Sequence, residues 1–276
     1  MADKELSFWG HLEELRRMLF RIILTLVVLM LLVFLNKSFI FDTIIFGPCS
    51  SDFVLYRWLC SLGGFLSRYL PSINLCPDAF QIKLININVS SQFIIHITTA
   101  FWVALILGFP YLLWELWRFV APALYPKEQR GIRIAFISSS FLFYCGVVMA
   151  YIMIFPLALQ FFWTYYVSNA IENMFSLQSY IGLLTPLVLV MGLVFQLPII
   201  VNLLSRLGLF DRRFLRKYRR HAIVILMALA AVITPTVDAV SMLLTAIPLY
   251  ILYEVSILTC RKGVTSDEQR APAGNS

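Results

Sequence analysis

From Ile134 to Ile171, and again from Asn173 to Ser205, the chain carries no Asp, Glu, Lys or Arg. A soluble domain needs a polar shell, and uncharged runs of that length fit a bilayer as solvent. The rest of the chain agrees: of 276 residues 60% are hydrophobic and 13% charged, and the mean hydropathy is +0.83. The sequence therefore reads as an all-α, polytopic integral membrane protein, with its backbone polar groups satisfied inside helices.

Crossing a hydrocarbon core of about 30 Å takes about 20 apolar residues. Six spans emerge: Met18 to Leu35; Phe93 to Trp114; Ile134 to an exit near Phe155 marked by Pro156; Leu177 to Leu204; His221 to Thr234; and Ala239 to about Thr259. Arg21 lies near the start of the first, where its long side chain can snorkel to headgroups. The aromatic stretch LALQFFWTYYVSNAI suits an interface. The fifth and sixth spans are short, the fifth giving only about 21 Å of helix. That mismatch implies either a locally thinned bilayer or shielding by other helices. The four-residue connection PTVD makes these two a tight hairpin.

Lys and Arg number four before or within the first span, four between spans two and three, seven between four and five, and three after the sixth. The opposite side holds four in its long loop and none between spans three and four or five and six. The positive-inside rule then places both termini in the cytoplasm. The expected organisation is a cytoplasmic amphipathic segment over residues 1–17 and a six-helix transmembrane domain over 18–260, followed by a cytoplasmic disordered tail over 261–276. Within the membrane domain, residues 36–92 form an outer loop of short capping helices, and 115–133 and 205–220 are cytoplasmic loops. Charged residues lead directly into span one, which reads as a signal anchor with nothing removed. The net charge of +7 reflects topology rather than nucleic-acid binding.

Of five cysteines, Cys49, Cys60 and Cys76 share the outer loop, where one pair is a candidate disulfide and three unpaired thiols are the alternative. No CxxC or Cys/His ligand spacing supports a metal, and no cofactor motif is present. Signatures of a hydrolase, metalloprotease or nucleotide-binding loop are also missing. Ser138, Ser139 and Ser140 read as helix-packing residues, and His96 as a packing residue near the outer interface. Spans two, three and four lack the mid-membrane charges of ion-coupled transporters. Gln196 is their conspicuous buried polar group, expected to bond across helices or to contact a partner helix.

The segment SFWGHLEELRRMLFR, just before the first apolar run, holds Glu13 and Glu14 among three arginines. Phe8, Leu12, Leu15 and Leu19 form an apolar helical stripe with Glu14 near its border. Glu13 has Arg17 one turn on, an ordinary surface partner; Glu14 has Arg17 and Arg21 at i+3 and i+7, a less complete neutralisation.

Further on, WELWRFVAPALYPKEQR resembles the first cytoplasmic loop of the TatC family, the receptor subunit of the twin-arginine protein translocase. HLEELRR resembles its amino-terminal signature, GVVMAYIMIFPLAL its third span, and ITPTVDAVSMLLTAIPLYILYE its last hairpin; Pro48 also has a counterpart. The resemblance runs from His11 to Cys260. It implies a non-enzymatic receptor in the bacterial cytoplasmic membrane that binds twin-arginine signal peptides of folded cargo proteins at its cytoplasmic face. It also implies assembly with single-span TatA and TatB type subunits, self-association, and transport driven by the proton gradient. By position, Glu14 and Glu128 match the glutamates that receive the signal's arginines, and Phe119 and Arg16 match other residues of that surface. Gln196 stands where many relatives have a buried glutamate, and Met242 where some have a glutamine facing a partner helix. A planar guanidinium pairs with a carboxylate through two parallel bonds, which gives two acids a physical reason to select Arg-Arg over Lys-Lys. The alternatives are a small-solute secondary transporter, with a mid-membrane cavity, and an intramembrane hydrolase using one of Ser138 to Ser140.

Overall fold

The computed structural model describes residues 8–50, 53–66, 82–120, 126–168, 173–206, 211–234 and 239–260. Among the described residues, five helices are long and apolar enough to cross a membrane: Leu12–Leu35, Ser91–Phe119, Phe136–Thr164, Leu177–Ser205 and Met242–Thr259. The chain divides into two compact units, Met1–Gly192 and Leu193–Ser276.

In the first unit, α1 (Phe8–Leu35) packs antiparallel on α3 (Ser91–Val120). Arg21 meets Glu115 near one end of the pair, and Phe34 meets His96 near the other. Met18 and Val33 of α1 are buried, while Leu19, Phe20, Ile23, Leu24, Val27 and Leu31 are exposed. A helix that is apolar all round yet covered on one side is what a lipid-facing span requires.

Helix α4 (Pro126–Met149) continues through a π-helical turn, Ala150–Ile154, into α5 (Phe155–Thr164). The helix runs on past Pro156 to Thr164, so the expected exit of the third span falls within a continuous helix. Pro156 occupies the first turn of α5, and the wider π-turn before it accommodates the missing N–H and the ring. Helix α6 (Leu177–Val194) closes on α4 at Gly192. A Cβ there would lie 2.7 Å from the Phe143 ring, which stacks on Phe109 of α3 with centroids 3.6 Å apart. Close approach of this kind needs a small residue.

The segment after α1 folds into a π-turn (Phe39–Ile45), a 3-10 turn (Gly47–Cys49) and α2 (Val54–Leu66). Tyr151 and Tyr180 donate to the carbonyls of Ile44 and Ile45, and the buried Tyr56 donates to Pro156 O at 3.1 Å. β1 (Leu84–Ile85) pairs in parallel with β2 (Phe175–Ser176). Cys60 is disulfide-bonded, with a partner outside the described residues, whereas Cys49 is a free thiol that burial pushes above the ordinary thiol range.

In the second unit, α10 (Ala239–Thr259) packs on α7 (Leu197–Arg206), α8 (Arg212–Lys217) and α9 (Arg219–Ile233). Leu215, Ile257 and Cys260 form its buried cluster, with Val201 and Tyr253 against it. Arg219 Nε donates to Glu254 Oε1 at 2.6 Å, so Glu254 is paired as well as solvated. The predicted fifth span corresponds to α9, which at 15 residues is shorter than a full crossing needs. The PTVD connection, Cys76, the tail over 261–276 and residues 1–7 lie outside the described residues.

Candidate functional site

The first turns of α1 and the last of α3 enclose an open cavity of about 420 Å³, lined by Gly10, Glu13, Glu14, Arg17, Met18, Arg21, Arg118 and Phe119. Leu, Met, Arg and Glu favour helix over this part of α1, and the 3.6-residue period sets Glu14, Arg17 and Arg21 on one face.

The charges of the cavity are sorted into pairs. Arg17 donates to Glu13 at 2.7 Å, with side chains 67% and 50% exposed, the surface pairing expected for Glu13. Arg21 grips Glu115 through both carboxylate oxygens, Nε to Oε1 at 3.0 Å and Nη2 to Oε2 at 2.7 Å. Tyr111 donates to Glu115 Oε1 at 3.1 Å. The Glu115 side chain is 3% exposed, so both its oxygens are satisfied by protein rather than water.

Glu14 is what remains. Its two local candidates, Arg17 and Arg21, are held by Glu13 and Glu115. The side chain is half-buried, and its Oε2 atom is buried without a hydrogen-bond partner among the described residues. A buried carboxylate oxygen left so costs about 1–3 kcal/mol or more in desolvation.

Of the residues singled out by sequence, Glu14 and Phe119 are brought to one cavity. Arg16 is exposed, 79% by side chain, reaching only toward Glu13 at 3.8 Å. Glu128 falls in the first turn of α4, but its side chain lies outside the described residues. Gln196 is buried at the turn between α6 and α7, and Met242 is half-buried on α10. Sequence reasoning missed Glu115 and Tyr111. The expectation that Arg21 snorkels to headgroups is corrected: its guanidinium turns inward to Glu115. Depth was the available signal, since Arg21 lies just inside the first expected span and Glu115 just past the second. Antiparallel helices bring those two positions level.

His96 donates from Nε2 to Phe34 O at 3.1 Å and stacks on the Phe34 ring, a packing role. Ser140 donates to the Phe136 carbonyl at 3.3 Å, the local bond of a hydroxyl in a helix.

A family model described as Sec-independent protein translocase protein (TatC) matches residues 10–248. The chain belongs to the TatC family. A TatC from Blattabacterium is 37% identical over 253 residues, 92% of this chain and 94% of that protein. One from Deinococcus radiodurans is 32% identical over 267 residues, covering 96% and 90%. A crystal structure described as the twin arginine translocase receptor TatC in DDM matches with a TM-score of 0.65 at 28% identity, over 91% of this chain and 99% of that one. The TatC fold is a polytopic, all-α membrane fold, and the cavity between α1 and α3 is built on it. Membership sets aside the small-solute transporter reading and makes this chain a protein translocase component.

Proposed function

We propose that this protein is the signal receptor and core subunit of a twin-arginine translocase, and that Glu14 takes one of the two signal guanidinium groups. The observation that supports this is the buried, unpartnered Glu14 oxygen in a cavity shared with Phe119. An arriving guanidinium supplies the missing donor in a fork geometry, and a charge-assisted bond contributes about 1.5–3 kcal/mol.

Glu128 takes the second guanidinium, the Phe119 ring packs against the signal chain, and Arg16 lies on the surrounding surface. The protein spans the bacterial cytoplasmic membrane six times, α9 being the fifth crossing, with residues 1–17 and 261–276 on the cytoplasmic side. Single-span TatA and TatB type subunits dock on the membrane face, where Gln196 and Met242 are contact residues, and copies of the chain associate with one another. The proton gradient drives transport. The fifth span, α9, at 15 residues, thins the bilayer locally, lowering the cost of moving polar chain through it; the sixth, expected to be short as well, is long enough to cross.

Binding of a labelled twin-arginine signal peptide and its twin-lysine variant to the purified protein tests the reading. The twin-arginine peptide is expected to bind at least tenfold tighter, and Glu14→Ala and Glu128→Ala each to remove most of that preference. Equal binding of both peptides to all three proteins overturns the receptor assignment.

A further inference from the structure

The cavity contains more charge than a receptor for arginine needs, and most of it has the wrong sign. Arg17, Arg21 and Arg118 all line it. Arg17 is neutralised at the surface by Glu13, and Arg118 is exposed at the end of α3, where water screens it. Arg21 is only 36% exposed by side chain and sits on the Glu14 face of the same helix, two turns on. Helical side chains lean toward the helix N-terminus, so the Arg21 stem points toward the turns that carry Arg17 and Glu14.

We propose that Glu115 is a positioning residue for signal recognition: by holding Arg21 through both carboxylate oxygens, it keeps that internal guanidinium away from Glu14 and the cavity receptive to an external one. The inference rests on the receptor reading above. Tyr111 belongs to the same device, because its hydroxyl fixes the Glu115 oxygen that also accepts from Arg21 Nε. Without the Glu115 charge, Arg21 is a resident competitor: it attracts the Glu14 carboxylate and repels an arriving cation. Glu115 thus acts on affinity without touching the signal.

The same contact also fastens α1 to α3, and the experiment separates the two effects. Full-length protein in lipid nanodiscs is titrated with a labelled twin-arginine signal peptide, with elution profile and unfolding temperature recorded for each variant. Glu115→Gln keeps the shape and one acceptor but removes the charge; it is expected to weaken binding about tenfold, the scale of one poorly screened charge at short range. The deficit relative to wild type is expected to shrink at about 0.5 M salt. In the double variant Arg21→Met, Glu115→Gln the fastener is still absent but the competitor is gone, and affinity is expected to recover to within about threefold of wild type. Wild-type affinity in Glu115→Gln, or a double variant as weak as Glu115→Gln, overturns the proposal. Glu14→Gln in parallel separates this failure from that of the receptor reading. Unchanged binding there refutes the receptor role of Glu14 itself, whereas lost binding there with unchanged Glu115→Gln refutes only the role of Glu115.

Discussion

The two ends of the α1 and α3 pair use polar groups in opposite ways. At the end carrying His96, ring and phenolic donors each find a backbone carbonyl: His96 to Phe34, Tyr151 to Ile44 and Tyr180 to Ile45. The π-turn ends at Ile45, so its last carbonyls have no intrahelical partner, and phenolic hydroxyls cap them. At the other end the groups are charged, and their sum leaves one acceptor over, the Glu14 oxygen. Bonds of the first kind tie segments of the fold together, whereas the acceptor without a partner among the described residues supports the receptor reading proposed above.

That contrast can be broken at four points. The largest effect is expected from Glu115→Ala, which removes the two-oxygen partner of Arg21 across the α1 and α3 contact and is read as a lower unfolding temperature in detergent. Next is Glu14→Gln, with signal-peptide affinity falling about tenfold to a hundredfold and the unfolding temperature unchanged or raised, because a buried unpartnered charge has been removed. At the neutral end, Tyr180→Phe leaves the Ile45 carbonyl without its donor and costs about 1–2 kcal/mol of stability with no change in peptide affinity. A loss of affinity there would erase the distinction between the ends. The smallest effect belongs to Glu13→Gln: its partner Arg17 is exposed, so stability changes by less than about 0.5 kcal/mol and affinity by less than about twofold.

Much of the fold was legible along the chain because burial in lipid is a local property. Uncharged runs such as Asn173 to Ser205 mark helices from composition alone, and the observed spans follow them. The third span shows where local reading ends. Proline usually ends a helix, but the π-turn Ala150–Ile154 carries the chain past Pro156, because that proline sits in the first turn of α5, where its missing N–H costs little, and is buried against protein. In the site, Glu14 and Phe119 were legible through the family resemblance and share the cavity. Local pairing rules offered Glu14 two arginines at i+3 and i+7, and nothing in the α1 segment shows that both are taken.

The sequence by itself determined that this chain lies in a membrane, where its long helices run and which family it belongs to, since each follows from runs of neighbouring residues. Only the tertiary structure decided that Glu14 is the acid left without a partner. The residue that settles the matter, Glu115, stands 94 positions from Arg21, and a bond between helices is invisible to any pattern read along one of them.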